Sequence, residues 1–484
     1  MLTSKLVAAV HAEAAKTHPD QPALVFPDQV LTHDQLRRLG LSFASRMQAA
    51  GVGVGSRVQL RTPEPTLVLA VLLATSWLGA QFVPFAGEGN TPVALSPTHY
   101  LYDPNAKEAP SPDAIAIDPD WSPARTDPFD VSTSPSGAAD ADWLWVHTSG
   151  TTGIPKYLAL SQSMVVARSL AVGDEFSLGS KHVLLAHVYS RPFLARAIAA
   201  MLNLSTLYFD LAPDAWHDAG INMVSGSRSL LKSRLNGAVL SPKLPVVELA
   251  GSRLPEAEAI EFLKSFETVD DTYGASETSK SYSTFWTLGA DGAPVQTGRM
   301  RDSEFQILGL DNTPVGPGES GVVRVRNPYM AKGYLDDPEA SANSFRDGWF
   351  YPGDVAKVTA DGRLSFADRS DNVINIYGAK VNGFVLDQIF RQTPGIKDAI
   401  CFRNPKPGAD EELFAFVVYE EDANQLQAIA SAKFAVEERM GEELVPRVCR
   451  PVNAIPRKAD GTPDRQACAD LVLKVVAAKA TQPD

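Results

Sequence analysis

Short runs of apolar residues punctuate the first 85 positions, separated by longer stretches with helical spacing. Arg57 to Leu60 and Gln81 to Val83 read as strands, and the apolar run from Leu67 through Trp77 reads as a helix. That run is broken by Thr75, Ser76 and Gly79 and falls short of the roughly 20 residues a bilayer span needs, so it predicts a buried helix. The stretch Asp103 to Asp142 is rich in Pro, Ser, Ala and Asp without periodicity, and is expected to be mostly loop. Trp143 to His147 then predicts an apolar strand, followed by a Gly/Ser/Thr-rich turn and a helix over Gln162 to Leu170. Strand, loop and helix are expected in that order.

Val246 to Leu249 and Thr268 to Tyr273 predict strands ending in Gly-containing turns, the places where an α/β sheet presents loops to a ligand. From about residue 295 the pattern shifts to short strands between Gly, Pro and Asp turns: Phe305 to Leu308, Gly321 to Val325, Val355 to Val358 and Arg363 to Phe366. Beyond residue 372, strands at Ala399 to Arg403 and Leu413 to Val418 mix with a helix over Leu426 to Met440. At 484 residues the chain is too long for one ordinary core. The expected fold class is α/β: a large N-terminal domain over 1–371, made of layered α/β subdomains plus a β-rich subdomain at about 295–371, and a small α+β C-terminal domain over 372–484.

Composition narrows the function. A formal net charge of -13 argues against general nucleic-acid binding, which needs a basic face to displace counterions. Cys401, Cys449 and Cys468 are widely spaced and make neither a CxxC pair nor a disulfide framework, which fits a reducing compartment. The N-terminal segment places His11, Glu13 and Lys16 on a helical period, unlike a cleaved signal, so a cytoplasmic location is expected. His182 and His187 lack helical metal-ligand spacing, and no GxSxG elbow is present.

The densest chemistry lies in Thr148-Ser149-Gly150-Thr151-Thr152-Gly153-Ile154-Pro155-Lys156. Glycines let backbone N–H groups approach an anion, hydroxyls add donors, and lysine supplies a compact positive charge for phosphates. The segment does not match GxxxxGK(S/T), so it is not a Walker A loop. A flexible connector would share the composition without requiring the Pro-Lys ending.

This segment resembles the TSGTTGxPK signature of the adenylate-forming superfamily, which includes acyl-CoA synthetases, peptide-synthetase adenylation domains and beetle luciferases. Tyr273-Gly274-Ala275-Ser276-Glu277-Thr278 is similar to the family's YGxTE, with serine for threonine. The resemblance implies that Tyr273 stacks on adenine and that Glu277 helps hold Mg²⁺ beside phosphates. It places Gly251 and Ser252 along the adenine, and the Gly321 to Tyr334 stretch resembles the family's GExxVRGxxVxxGY. Asp354, in Trp349-Phe350-Tyr351-Pro352-Gly353-Asp354, stands where the family's WxxTGD aspartate accepts hydrogen bonds from ribose. Arg369 matches the arginine that contacts ribose and phosphate, and Asp371 falls on the hinge of a mobile C-terminal domain. Singly, each of these residues has an ordinary reading as a turn, helix-start or ion-pair residue; their shared order is what points to the family.

The resemblance implies an AMP-forming acid ligase. ATP with Mg²⁺ and a carboxylic acid give an acyl-adenylate and pyrophosphate, and the acyl group passes to a thiol of coenzyme A or of a carrier protein supplied in trans. Two departures bear on this. Ile455 to Arg465 resembles the family's P(K/R)TxxGKxxR, but Thr462 occupies the position of the catalytic lysine, whose transition-state charge stabilisation is of the order of several kcal/mol. Asn375 stands where acyl-CoA synthetases and luciferases commonly have lysine. Four explanations stay open: Lys458 or Lys380 as a substitute cation on a flexible stem, slow adenylation on Lys156, Mg²⁺ and Arg369 alone, transfer to a non-thiol nucleophile, and a nucleotide-binding homologue without catalysis. His187 occupies the place of a family residue at the acyl-pocket wall, with a buried structural histidine as its bland alternative. By the same resemblance Arg191 falls beside the acyl pocket, where an arginine could pair with a second anionic group on the acid, with a surface arginine as its alternative. No aspartate is placed to hold an amino-acid ammonium, which favours a non-amino acid. Arg447, Arg450, Arg457, Lys458 and Arg465 make a basic cluster suited to phosphates of coenzyme A or an acidic carrier, or simply a solvated face.

Overall fold

The computed structural model describes residues 5–84, 97–104, 113–117, 121, 129–148, 156–251, 253–309, 312–366, 373–376, 379–405, 412–457 and 463–480. These form two compact units. The first comprises the described residues within 1–148, 156–304 and 326–350, and the second those within 305–325 and 351–480. The segment expected to make one β-rich subdomain from about 295 onward is thus divided between the units, and Pro294–Met300 joins the main sheet of the first.

Two sheets organise the first unit. One has nine strands in the order Pro294–Met300, Ser279–Leu288, Phe266–Ala275, Leu244–Ala250, Met223–Gly226, Lys181–Leu185, Thr206–Tyr208, Pro22–Val25, Val30–Thr32. Its strands from Phe266–Ala275 to Pro22–Val25 run parallel, and both flanks are antiparallel. The other has six strands and ends in the antiparallel hairpin Asp142–Thr148 with Lys156–Ser161. One core joins both sheets, with Leu24, Leu184, Leu207 and Met223 from the first, Val58, Leu60, Phe82, Leu144 and Leu158 from the second, and apolar helices between them. Alternate residues point the other way: Val183, Val224, Val247 and Val269 join a second core under helices Arg228–Leu235 and Glu256–Phe262, as a period of two requires for a sheet covered on both faces.

The apolar run at Leu67 becomes helix Pro65–Leu78, buried from Val68 to Leu78. Pro65 opens it and Gly79, at φ 63°, closes it in the left-handed region. Among the described residues no helix is long and apolar enough to cross a membrane. The expected order of strand, loop and helix around Lys156 needs correction: the strand Lys156–Ser161 stands between the loop and helix Gln162–Leu170. Its burial alternates, with Leu158 and Leu160 inward, and Ser161 then caps the helix by accepting from the Met164 N–H.

Two buried histidines tie helix Val7–Thr17 to helix His33–Ala49: His11 Nε2 lies 3.3 Å from His33 Nδ1, and His33 Nε2 lies 3.0 Å from the Ser205 carbonyl. Burial pushes their pKa values down, to about 3 for His11 and about 4 for His33. The folded state therefore stays neutral where the unfolded chain takes up protons. Stability should be full above pH 6.5 and fall as pH drops toward 4, by about 1.4 kcal/mol per pH unit for each histidine. Urea midpoints measured across this range should decline, and a His11→Gln/His33→Gln variant should show a shallower slope; equal slopes would rule the pair out as the cause.

In the second unit, Ser320 to Val322 pair antiparallel with Val355 to Lys357, which pair with Leu364–Phe366. Gly321 is required there, because a Cβ would meet the Leu308 carbonyl oxygen at 2.2 Å. The C-terminal portion has a sheet of Ile396–Arg403, Leu413–Tyr419 and Val448–Pro451, with helices Gly383–Arg391, Gln425–Met440 and Arg465–Ala480. Its core includes Leu386, Phe390, Ala415 and Val436. The mix is the α+β pattern expected of this part of the chain.

Candidate functional site

The parallel strands of the large sheet deliver candidate residues to one edge. Lys181–Leu185 leads into the turn bearing His187 and Arg191, and Leu244–Ala250 ends at Gly251. The neighbouring Phe266–Ala275 carries Tyr273 and leads into Ser276 and Glu277. Carboxyl ends of parallel strands are where open α/β sheets bind ligands. Gly251, at φ 102°, lets the chain turn there with open space around it. Gly274 is fixed by close approach instead: a Cβ would lie 2.2 Å from the Ser279 carbonyl oxygen, at the irregular pairing where the chain reverses into Ser279–Leu288.

Glu277 is buried, and its Oε1 accepts a 2.8 Å hydrogen bond from the Tyr334 hydroxyl. Lys156 Nζ sits 4.9 Å from the centroid of the Tyr334 ring, a cation–π contact. Thr148 pairs with Lys156 across the hairpin, so the end of the phosphate-loop segment is carried on a strand. The Leu335 N–H donates to the Tyr157 carbonyl at 2.7 Å, fixing Tyr334 beside that strand. Lys156, Tyr334 and Glu277 thus form a continuous row.

Behind the row lies Arg168, from helix Gln162–Leu170. Its guanidinium donates to the carbonyls of Ser276 at 3.0 Å, Glu277 at 2.9 Å and Tyr329 at 2.7 Å, the last also from Nε at 3.0 Å. The Glu277 carbonyl also accepts from the Ala331 N–H at 2.8 Å. Arg168 therefore clamps the Ser276–Glu277 turn to the segment carrying Tyr334. Burial and the nearby Arg191 push its pKa down to about 9.

A buried charge network supports the same edge. Lys280 Nζ lies 2.8 Å from Glu175, 2.9 Å from Asp270 and 3.3 Å from Glu248. Arg196 grips both Glu248 oxygens at 3.0 Å, and Arg301 reaches Glu175 at 2.8 Å. Burial opposes the charge on Lys280, but Glu248, Asp270 and Glu175 more than offset it and raise its pKa. Glu175 goes up, because burial outweighs Lys280.

Tyr273, Gly274, Ser276, Glu277, Gly251, Thr148, Lys156, His187 and Arg191 all belong to the first unit. His187 is exposed, so its reading as a buried structural histidine is corrected; its carbonyl accepts from Ser190 at 2.7 Å. Arg191 is partly buried and opens helix Arg191–Leu202, contrary to its reading as a surface residue. Asp354 is buried in the second unit, where its carbonyl accepts from the Val323 N–H at 2.9 Å. Ser149, Gly150, Thr151, Thr152, Gly153, Ser252, Arg369, Asp371, Lys458 and Thr462 lie outside the described residues. No group of three or more His, Cys, Asp or Glu residues suited to a metal occurs among the described residues. Mg²⁺ would instead be held by Glu277 together with phosphate oxygens, the usual arrangement for an ion that takes one or two carboxylates. Arg168, Lys280 and Glu248 are absent from the sequence reading. Arg168 stands in an ordinary amphipathic helix, and the other two in strands whose spacing shows nothing unusual.

The AMP-binding enzyme family model matches residues 11–88 and 94–335, and the chain belongs to that family. It lies within the adenylate-forming superfamily that the motifs resemble. A linear gramicidin synthase of Brevibacillus parabrevis is 25% identical over 93% of this chain, but the chain spans only 9% of that much longer protein. The sulfoacetate–CoA ligase of Cupriavidus necator is 26% identical, with 95% of this chain and 96% of the ligase covered. In fold, the chain is similar to a Mycobacterium tuberculosis fatty acyl CoA synthetase, with TM-score 0.69 at 20% identity over 96% of this chain and 98% of that one.

Proposed function

We propose that this protein uses ATP to adenylate a carboxylic acid other than an amino acid, releasing pyrophosphate, and then transfers the acyl group to a thiol. The row of Lys156, Tyr334 and Glu277 at the carboxyl edge of the parallel sheet carries this reading, because it brings a cation and a buried carboxylate of the kind that holds Mg²⁺ together at the end of the Asp142–Thr148 and Lys156–Ser161 hairpin. Membership of the AMP-binding enzyme family supports nucleotide use, and full-length similarity to a ligase named for coenzyme A supports a thiol acceptor. The decisive measurement is pyrophosphate release over a panel of aryl, short-chain, dicarboxylic and fatty acids, with and without coenzyme A. If the folded protein binds ATP and no acid elicits release, the reading fails. Release that needs an amine in place of coenzyme A would favour transfer to a non-thiol nucleophile, the alternative motivated by Asn375.

With Thr462 in the position of the catalytic lysine, Lys458 is the proposed substitute cation. Lys458→Ala should abolish acid-dependent exchange of pyrophosphate into ATP while ATP binding persists. Unchanged exchange would remove Lys458 from the site and leave adenylation to Lys156, Mg²⁺ and Arg369.

A further inference from the structure

Arg191 lies within electrostatic reach of Arg168 and Arg196, and of the three only Arg196 has a carboxylate for a direct partner. Arg196 is paired with Glu248 through both oxygens. Arg168 spends its N–H groups on main-chain carbonyls. Arg191 has neither a hydrogen bond nor an ion pair with any described residue, although Arg168 and Arg196 repel it and Glu277 and Glu248 attract it. Glu248 has no capacity to spare, since it also accepts from Ser225 at 3.1 Å and Thr272 at 3.3 Å and lies beside Lys280. Glu277 is left as the counter-charge, and one of its oxygens already serves Tyr334. A metal ion on Glu277 would cancel that counter-charge and leave Arg191 only the attraction of Glu248, which Arg196 and Lys280 already share.

Burial and Arg196 push the Arg191 pKa down to about 10, so its charge is costly as it stands yet kept at neutral pH. Such a group gains most from an arriving anion. Its backbone is fixed at the first position of helix Arg191–Leu202, where the Ser190 side chain accepts from the Phe193 N–H at 3.3 Å. The preceding turn is anchored by Tyr189, whose hydroxyl is hydrogen-bonded to the Thr62 main chain.

Building on the acid-activating function proposed above, we propose that Arg191 binds a second anionic group of the acid, so that the substrates are acids carrying a carboxylate or sulfonate besides the carboxylate that is adenylated. The reacting carboxylate is the poorer partner for Arg191, because a bidentate guanidinium contact withdraws the electron pair it must give to the α-phosphorus. The phosphates are the poorer partner because Lys156, the cation that ends the phosphate-loop motif, stands on the Tyr334 side of Glu277. A neutral tail would leave the guanidinium partly buried and unmatched, the situation in which polar sites reject an analogue most strongly.

The test compares short dicarboxylic and sulfocarboxylic acids with their monoamides and with monocarboxylic acids of the same length, in acid-dependent pyrophosphate release. Wild-type protein should favour the dianionic acids by at least about 100-fold in kcat/KM. Arg191→Met should collapse that preference toward unity through KM for the acid, with KM for ATP held and the thermal midpoint near wild type. Arg191→Lys should restore part of the preference if the variant fails only through charge. An unchanged preference in Arg191→Met, or a wild-type protein indifferent to the second charge, overturns the assignment while leaving acid activation standing. A raised KM for ATP alone reassigns Arg191 to the nucleotide and also overturns it. If wild-type protein activates no acid at all, the ligase reading falls and this inference with it.

Discussion

Lys280→Met should destabilise the protein by about 3–5 kcal/mol, the cost of removing one partner from a buried ionic cluster. The ammonium is about 9% exposed and lies within 3.3 Å of three carboxylates, themselves 4–13% exposed. Methionine fills much the same volume but leaves Glu175 and Asp270 sharing Arg301, at 2.8 and 3.6 Å, while Glu248 keeps Arg196. One negative charge is then buried without compensation. Glu175, whose pKa is already raised by burial, is the group best placed to take up a proton. The variant should therefore recover part of its deficit as pH falls from 7 toward 5, because its folded state then binds a proton that the unfolded chain does not. Urea denaturation at the two pH values measures both effects. A loss under about 1 kcal/mol at pH 7, or a deficit that grows on acidification, would refute the account.

The same cluster explains why part of the fold is hard to read from the chain. Asp142–Thr148 and helix Gln162–Leu170 follow directly from apolar spacing, because their buried positions include Trp143, Leu144, Val146, Val165 and Val166. In Ser279–Leu288 the inward positions include Ser281 and Ser283, both fully buried, and Ser283 donates to Asp270 at 3.3 Å. A face that answers carboxylates with hydroxyls adds no apolar signal, and the strand's buried Tyr282 and Trp286 alone are too few to reveal its period. Lys156–Ser161 escapes for a different reason: its first residue is also the last of a chemically conspicuous loop, and two leucines make a short signal.

The site divides along the same line. Lys156, Tyr273 and Glu277 stand out by motif, since the chemistry fixes residue type and order. Arg168 acts through main-chain carbonyls, which have no signature, and Tyr334 reaches Glu277 across 57 residues of chain. What the fold adds to the motif is the support: a clamp on the turn, a hydroxyl on the carboxylate, and a ring beneath the lysine.

Glu277→Gln is expected to lower kcat/KM for pyrophosphate release by about 100- to 1,000-fold, the scale seen when a preorganised electrostatic group is removed from a reacting site. The amide retains an oxygen that can accept from Tyr334, and Arg168 holds the main chain at this residue, so the turn should keep its shape. What disappears is the charge. Mg²⁺ would lose its protein carboxylate, and Arg168 and Arg191 would lose the counter-charge they share. The Mg²⁺ concentration giving half-maximal rate should therefore rise at least about tenfold, while stability falls by about 1 kcal/mol. Tyr334→Phe separates the two contributions: it removes the 2.8 Å hydrogen bond and keeps both the carboxylate and the ring beneath Lys156. Its rate should fall by about tenfold with the Mg²⁺ dependence little changed. A Glu277→Gln protein with wild-type Mg²⁺ dependence would show that the metal is held elsewhere, and the row from Lys156 to Glu277 would then be a structural brace for the hairpin.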